Sequence, residues 1–152
     1  MLPEKKIREP RVGAYLRADG GVYIHAFSYF KGMISMPTEP YLANKIEDNP
    51  ESLGQSILLA KEGCLSYFLR EDYRDYKPPY LAMAGVKSHR AFGIKTKFVI
   101  IYFFPDQIKF GPNRNEKAIW YGIPDKKKSI PLDSSPEALG TQLLESFEDS
   151  II

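Results

Sequence analysis

The sequence predicts an α+β fold: an antiparallel sheet with two short helices, built from pseudo-duplicated β-β-β-α units. Three observations carry that expectation. A helical stretch occurs twice, as NPESLGQSILLAKE over residues 49–62 and SPEALGTQLLESFE over residues 135–148. At a constant offset of 86, Pro50/Pro136, Glu51/Glu137, Leu53/Leu139, Gly54/Gly140, Leu58/Leu144 and Glu62/Glu148 are identical. Strand-like blocks precede each helix without regular βαβ alternation. Residues 97–104, KFVIIYFF, form an almost continuous apolar run bounded by Pro105, the pattern of a central strand covered on both faces.

Residues 1–11 are polar, contain Pro3 and Pro10, and read as a loosely held arm. Residues 12–18 and 22–30 flank Asp19-Gly20-Gly21, a hairpin signal. On the second run Val22, Ile24 and Ala26 share one face, and Tyr23, His25 and Phe27 the other. Met33 to Met36 reads as a third strand stopped by Pro37, and residues 37–48 as an irregular link. Each helix then starts on a capping residue, Asn49 or Ser135, followed by proline, whose missing N–H is no loss there. Glu51 and Glu137 lie in the first turn, where the helix dipole favours negative charge. The stripes Leu53, Ile57, Leu58 and Leu139, Leu143, Leu144, Phe147 are the faces to be buried. Gly54 and Gly140 sit inside helices, where each costs about 1 kcal/mol relative to alanine. A close backbone approach, expected from a strand underneath, accounts for them.

Gly63 ends the first helix, and residues 64–97 are expected to be an irregular insert between halves spanning 12–63 and 98–148. In the second half, Gln107 to Phe110 and Ala118 to Ile123 read as strands, Gly111-Pro112-Asn113-Arg114-Asn115 as a turn, and Lys126-Lys127-Lys128 as an exposed basic run. Tyr15-x-x-x-Asp19 matches Tyr102-x-x-x-Asp106 at offset 87, which extends the repeat into the strands.

A chain of 152 residues is expected to be one domain. One cysteine, Cys64, leaves no internal disulfide and fits a reducing compartment. The charged N-terminus has no apolar core for a secretory signal, and the longest apolar run is too short to span a bilayer. A cytoplasmic location without membrane association is expected. The net charge of +2 argues neither for nor against a nucleic-acid partner.

Catalytic chemistry finds little footing. His25 lies on a strand between aromatic residues and reads as structural. His89 lies in a basic stretch, Lys87-Ser88-His89-Arg90, expected to be a solvated loop. Cys64 follows a helix C-terminus, the wrong end of the dipole for a thiolate. Glu71, Asp72 and Asp75 lack the glycine and remaining ligands of a calcium loop. No cofactor, metal or small-molecule substrate is expected. Lysines at 87, 95, 97 and 126–128 interleaved with tyrosines leave a small RNA-binding module as an alternative function, although solvated faces explain them as well. Interface chemistry fares better. Tyr67, Glu71, Asp72, Tyr73, Arg74, Asp75, Tyr76 and Tyr80 concentrate hot-spot residue types in one segment and form the candidate partner-binding set. Trp120 reads as core.

Asn49-Pro50-Glu51-Ser52-Leu53-Gly54, then Ala118-Ile119-Trp120-Tyr121-Gly122 and Ile130-Pro131 through Ser135-Pro136-Glu137-Ala138-Leu139-Gly140, resemble the CdiI family of contact-dependent growth inhibition immunity proteins. The resemblance covers residues 12–148. It implies a small cytoplasmic bacterial protein that binds the C-terminal toxin domain delivered by a neighbouring cell, 1:1, and blocks its activity. It implies no enzyme and supplies no catalytic residue. A nuclease is the expected toxin type, and nucleic acid is not an expected partner of the chain itself.

Overall fold

The computed structural model describes residues 9–152 together with the backbone of a two-residue strand, Lys5–Lys6. The arm expected over residues 1–11 falls largely outside the described residues. The elements are β1 (Lys5–Lys6), β2 (Arg11–Leu16), β3 (Gly21–Phe30), β4 (Ile34–Lys45), α1 (Pro50–Glu62), β5 (Leu65–Tyr67), α2 (Pro79–Met83), α3 (His89–Gly93), β6 (Lys97–Phe103), β7 (Gln107–Glu116), β8 (Ile119–Gly122), β9 (Lys128–Pro131) and α4 (Pro136–Asp149). A seven-stranded antiparallel sheet runs β4-β3-β2-β6-β7-β8, with β9 beside the first half of β7. The fold is α+β. Beyond the two expected helices it holds two one-turn helices, α2 and α3, in the segment expected to be irregular.

The apolar run of β6 lies at the centre because both of its faces are covered. One sheet face carries Val12, Ala14, Val22, Ile24, Val99, Ile101, Phe103, Ile108 and Phe110 against Leu53, Ile57, Ala60, Leu139, Leu143 and Phe147 of α1 and α4. The other carries Tyr15, Tyr23 and Phe98, roofed by Tyr80, Leu81 and Phe92 of the 64–97 segment. Arg17 pins that roof by donating to the carbonyls of Ala84 (3.3 Å), Ala91 (3.4 Å) and Phe92 (3.3 Å). Trp120 donates through Nε1 to the Thr96 carbonyl at 3.0 Å and packs on Tyr15 and Phe98, as a partly buried core residue.

Both helices start as their sequences specify. Asn49 Oδ1 accepts from the Ser52 N–H at 2.8 Å, and Ser135 Oγ from the Ala138 N–H at 3.1 Å. The helix-interior glycines have a different cause from the one expected. A Cβ on Gly54 would fall on the Pro136 carbonyl, and one on Gly140 would fall on the Pro50 carbonyl. The approaching backbone is the other helix, not a strand. Each glycine makes room for the first turn of the opposite helix, in a reciprocal contact.

The third strand is also longer than expected. β4 continues through Pro37 and Pro40 to Lys45, pairing with β3 along its length. A bulge sets Ala26 opposite Thr38 and His25 opposite Tyr41, leaving Glu39 and Pro40 outside the ladder. Proline is tolerated because β4 is an edge strand, whose outward N–H groups pair with nothing in the sheet.

Candidate partner-binding surface

After α1 the chain crosses the end of β3 and is fastened there by backbone bonds. Phe68 donates to the Tyr29 carbonyl at 3.1 Å, and Lys31 donates to the Phe68 carbonyl at 3.0 Å. Phe30, Met36 and Phe68 form a small third core under this crossing. The following loop is anchored by its tyrosines. The Tyr73 ring stacks on Phe30 with centroids 4.2 Å apart and planes at 19°. The Tyr76 hydroxyl shares a 2.6 Å hydrogen bond with the Tyr41 hydroxyl on β4, and the Arg70 guanidinium lies 3.8 Å from the Tyr76 ring centroid. Between these anchors Glu71, Asp72, Arg74 and Asp75 are exposed. Arg74 Nε donates to the Tyr73 hydroxyl at 3.0 Å, and this bond lowers the pKa of the phenol. The loop is thus held in shape while its charges face solvent.

Seven of the eight candidate residues lie along this crossing and loop, with Tyr67 half-buried opposite Lys5. Tyr80 does not join them. It is 5% exposed, stacked on His25 at 5.3 Å and packed against Phe92 at 4.7 Å, and burial pushes its phenol up to about 12. The apolar residues beside it place it in the roof over the second sheet face, so Tyr80 acts in the core.

Sequence reasoning missed three residues here. Met33 is 74% exposed, and Ile34 and Leu69 are each 49% exposed. Met33 and Ile34 follow the β3–β4 turn, where Lys31 (φ 53°) and Gly32 (φ 72°) take left-handed backbone. Leu69 joins Phe30, Lys31, Arg70, Glu71 and Tyr73 around an open cleft of about 530 Å³. The available signal was an apolar pair at a hairpin tip, where no core can reach it.

The other candidates for chemistry are placed unfavourably for it. His25 is 0% exposed, its Nδ1 is 2.8 Å from the Ala26 carbonyl, and burial lowers its pKa to about 4. Gly13 leaves the space for this ring, since a Cβ there would stand 2.9 Å from it. His89 opens α3 and is exposed. Cys64 is buried, its Sγ 3.1 Å from the Arg11 carbonyl, and burial raises its pKa. Among the described residues, no group of three or more His, Cys, Asp or Glu could hold a metal ion. Among the same residues, no helix is long and apolar enough to cross a membrane.

Two solved structures share this architecture. A Neisseria meningitidis protein of unknown function, NMB0488, matches with a TM-score of 0.77 at 20% identity, covering 99% of each chain. A chain from the CdiA-CT/CdiI toxin and immunity complex of Yersinia pseudotuberculosis matches with a TM-score of 0.75 at 14% identity, covering 96% of this chain and 99% of that one. No curated protein matches. The family model for CdiI, the CDI immunity protein, matches residues 22–150, from the first hairpin to the end of α4. The chain belongs to the CdiI family of CDI immunity proteins.

Proposed function

We propose that the protein binds the C-terminal toxin domain of a cognate contact-dependent inhibition effector, 1:1, and neutralises it by covering its active site or substrate groove. Family membership and the likeness to a chain of a toxin and immunity complex support the role. The observation that carries the binding surface is the anchored loop beside the β3–β4 tip. Exposed Leu69 and half-exposed Tyr73 line one cleft, exposed Met33 and Ile34 lie at the β3–β4 tip to which the crossing is bonded, and charged Glu71, Asp72, Arg74 and Asp75 are exposed in the same loop. An apolar centre with a polar rim is the anatomy of a protein interface. The anchors at Phe30 and Tyr41 reduce the ordering cost of binding, because the loop is already shaped. The role is stoichiometric inhibition rather than catalysis, carried out in the cytoplasm, where an incoming toxin would act.

The target is proposed to be a nuclease. Such a domain presents a basic groove, and Glu71, Asp72 and Asp75 would steer its approach. The test is to mix the protein with the toxin domain encoded beside it. A stable 1:1 complex and loss of toxin activity are expected, and no complex overturns the function. Replacing Glu71, Asp72 and Asp75 by lysine should slow association about tenfold at low salt. Met33→Asp should speed dissociation by a similar factor. If both variants bind with unchanged kinetics, the function stands and this surface is refuted.

A further inference from the structure

The net charge of +2 leaves room for a local group of cations on one sheet face. Beyond the aromatic roof, the second sheet face continues into a strip that crosses four strands. Register sets Phe27 of β3 opposite Arg11 of β2, Arg11 opposite Tyr102 of β6, and Tyr102 opposite Lys109 of β7, so all four share one face. The Arg11 guanidinium lies 4.9 Å from the Tyr29 ring centroid and 5.8 Å from that of Phe27. Tyr102 and Phe104 present nearly parallel rings, at 12° with centroids 5.9 Å apart. Lys127 Nζ lies 6.0 Å from the Tyr102 centroid, and Lys109 Nζ 6.0 Å from the Phe104 centroid. Arg11, Lys109 and Lys127 have no carboxylate partner among the described residues. Arg11 donates to Ser35 Oγ at 2.8 Å, but its Nε is buried with no hydrogen-bond partner.

Lys128, the next residue of the basic run, does not join this strip. It is opposite Phe110, whose ring is in the helix-side core, so it belongs to the other face. Of the neighbours Lys127 and Lys128, the strip therefore takes Lys127 and places it over a ring.

We propose that this strip is a second binding site, a platform for single-stranded nucleic acid on which Tyr102 and Phe104 stack bases while Arg11, Lys109 and Lys127 contact phosphates. Flat ring pairs with interleaved cations suit a ligand that alternates π-faces with negative charge. An apolar protein partner would have to desolvate three cations without pairing them. An acidic peptide would pair the cations but leave the ring faces without a stacking partner. A duplex keeps its bases stacked on one another, so only an unpaired strand can lay them on the sheet.

The experiment uses the full chain, without toxin, and fluorescein-labelled oligo(dT) and oligo(U) of 12 nucleotides read by anisotropy. Binding at low salt is expected. Its affinity should fall with salt at a log–log slope of about −2, the value for three phosphate contacts on a single strand. Lys109→Gln with Lys127→Gln should weaken binding at least about tenfold and flatten the slope to about −1. The control pair Lys61→Gln with Lys128→Gln removes the same net charge elsewhere and should change affinity less than about twofold. Tyr102→Ala should weaken binding at least about fivefold with the slope kept. Circular dichroism of each variant confirms its fold, and Tyr102→Leu serves if the alanine variant does not fold. No binding at low salt, equal loss in both lysine pairs, or equal competition by poly-glutamate overturns the proposal. The last outcome would point to an acidic protein partner instead.

Discussion

Replacing Gly140 by alanine should destabilise the protein, against the usual direction of such a change. In an open helix interior the substitution stabilises by about 0.5–1 kcal/mol, because glycine has more backbone freedom to lose. Here the new Cβ would fall on the Pro50 carbonyl, a backbone group that cannot rotate away. The helices must separate, and the layer of Leu53, Ile57, Leu139 and Leu143 opens with them. Overpacking of this kind costs about 1–3 kcal/mol, and sometimes more where backbone has to move. We expect a net loss of about 2 kcal/mol, read as a Tm lower by about 4–8 °C for a domain of this size. Gly54→Ala should behave alike, since its Cβ would fall on the Pro136 carbonyl. The double variant should lose less than the sum, because helices already separated by the first methyl have room for the second. Urea and thermal unfolding followed by circular dichroism measure all three. A neutral or stabilising Gly140→Ala, or strict additivity, would refute the reciprocal contact as the reason for these glycines.

Two further outcomes follow from buried groups. His25 is held neutral, with a pKa near 4 against an ordinary value of 6.5, so the unfolded chain takes up its proton first as pH falls. Its contribution is complete above about pH 6.5 and declines between 6.5 and 4, by up to about 3 kcal/mol. His25→Phe should therefore flatten the dependence of the urea midpoint on pH in that window, and an unchanged slope would remove His25 from the account. Cys64, buried with a raised pKa, should resist a thiol reagent in the native protein and react at once in denaturant. Rapid native labelling would show that the α1–β5 corner opens readily.

What the sequence disclosed follows from the range of the forces involved. The helix starts at Asn49 and Ser135 were legible because capping involves residues only three positions apart. β6 was legible because an unbroken apolar run needs cover on both faces. The course of β4 was hidden because Pro37 and Pro40 look like stops, and only the edge position makes them harmless. The glycine contact was half legible: close approach could be inferred from Gly54 and Gly140, but not which element approached. The candidate surface divided in the same way. Exposed charges at 71–75 could be read locally, whereas the burial of Tyr80 depends on residues far away in the chain, such as Tyr15 and His25.

The two sheet faces also differ in how freely they can change. The helix face is bounded by two carbonyl-to-glycine contacts and by a core with no exposed members, so substitution there carries the stability cost worked out above. The β3–β4 tip is different. Met33, Ile34 and Leu69 already have about half or more of their surface in water, so replacing them forfeits little buried area. The loop beside them is fastened by Tyr73 on Phe30 and Tyr76 on Tyr41, not by the charged residues between those anchors. Residues 71, 72, 74 and 75 can therefore be exchanged while the loop keeps its shape. Under the proposed function, matching one toxin and ignoring others would use such a separation, because specificity is a difference between affinities and changes fastest where the fold does not depend on it.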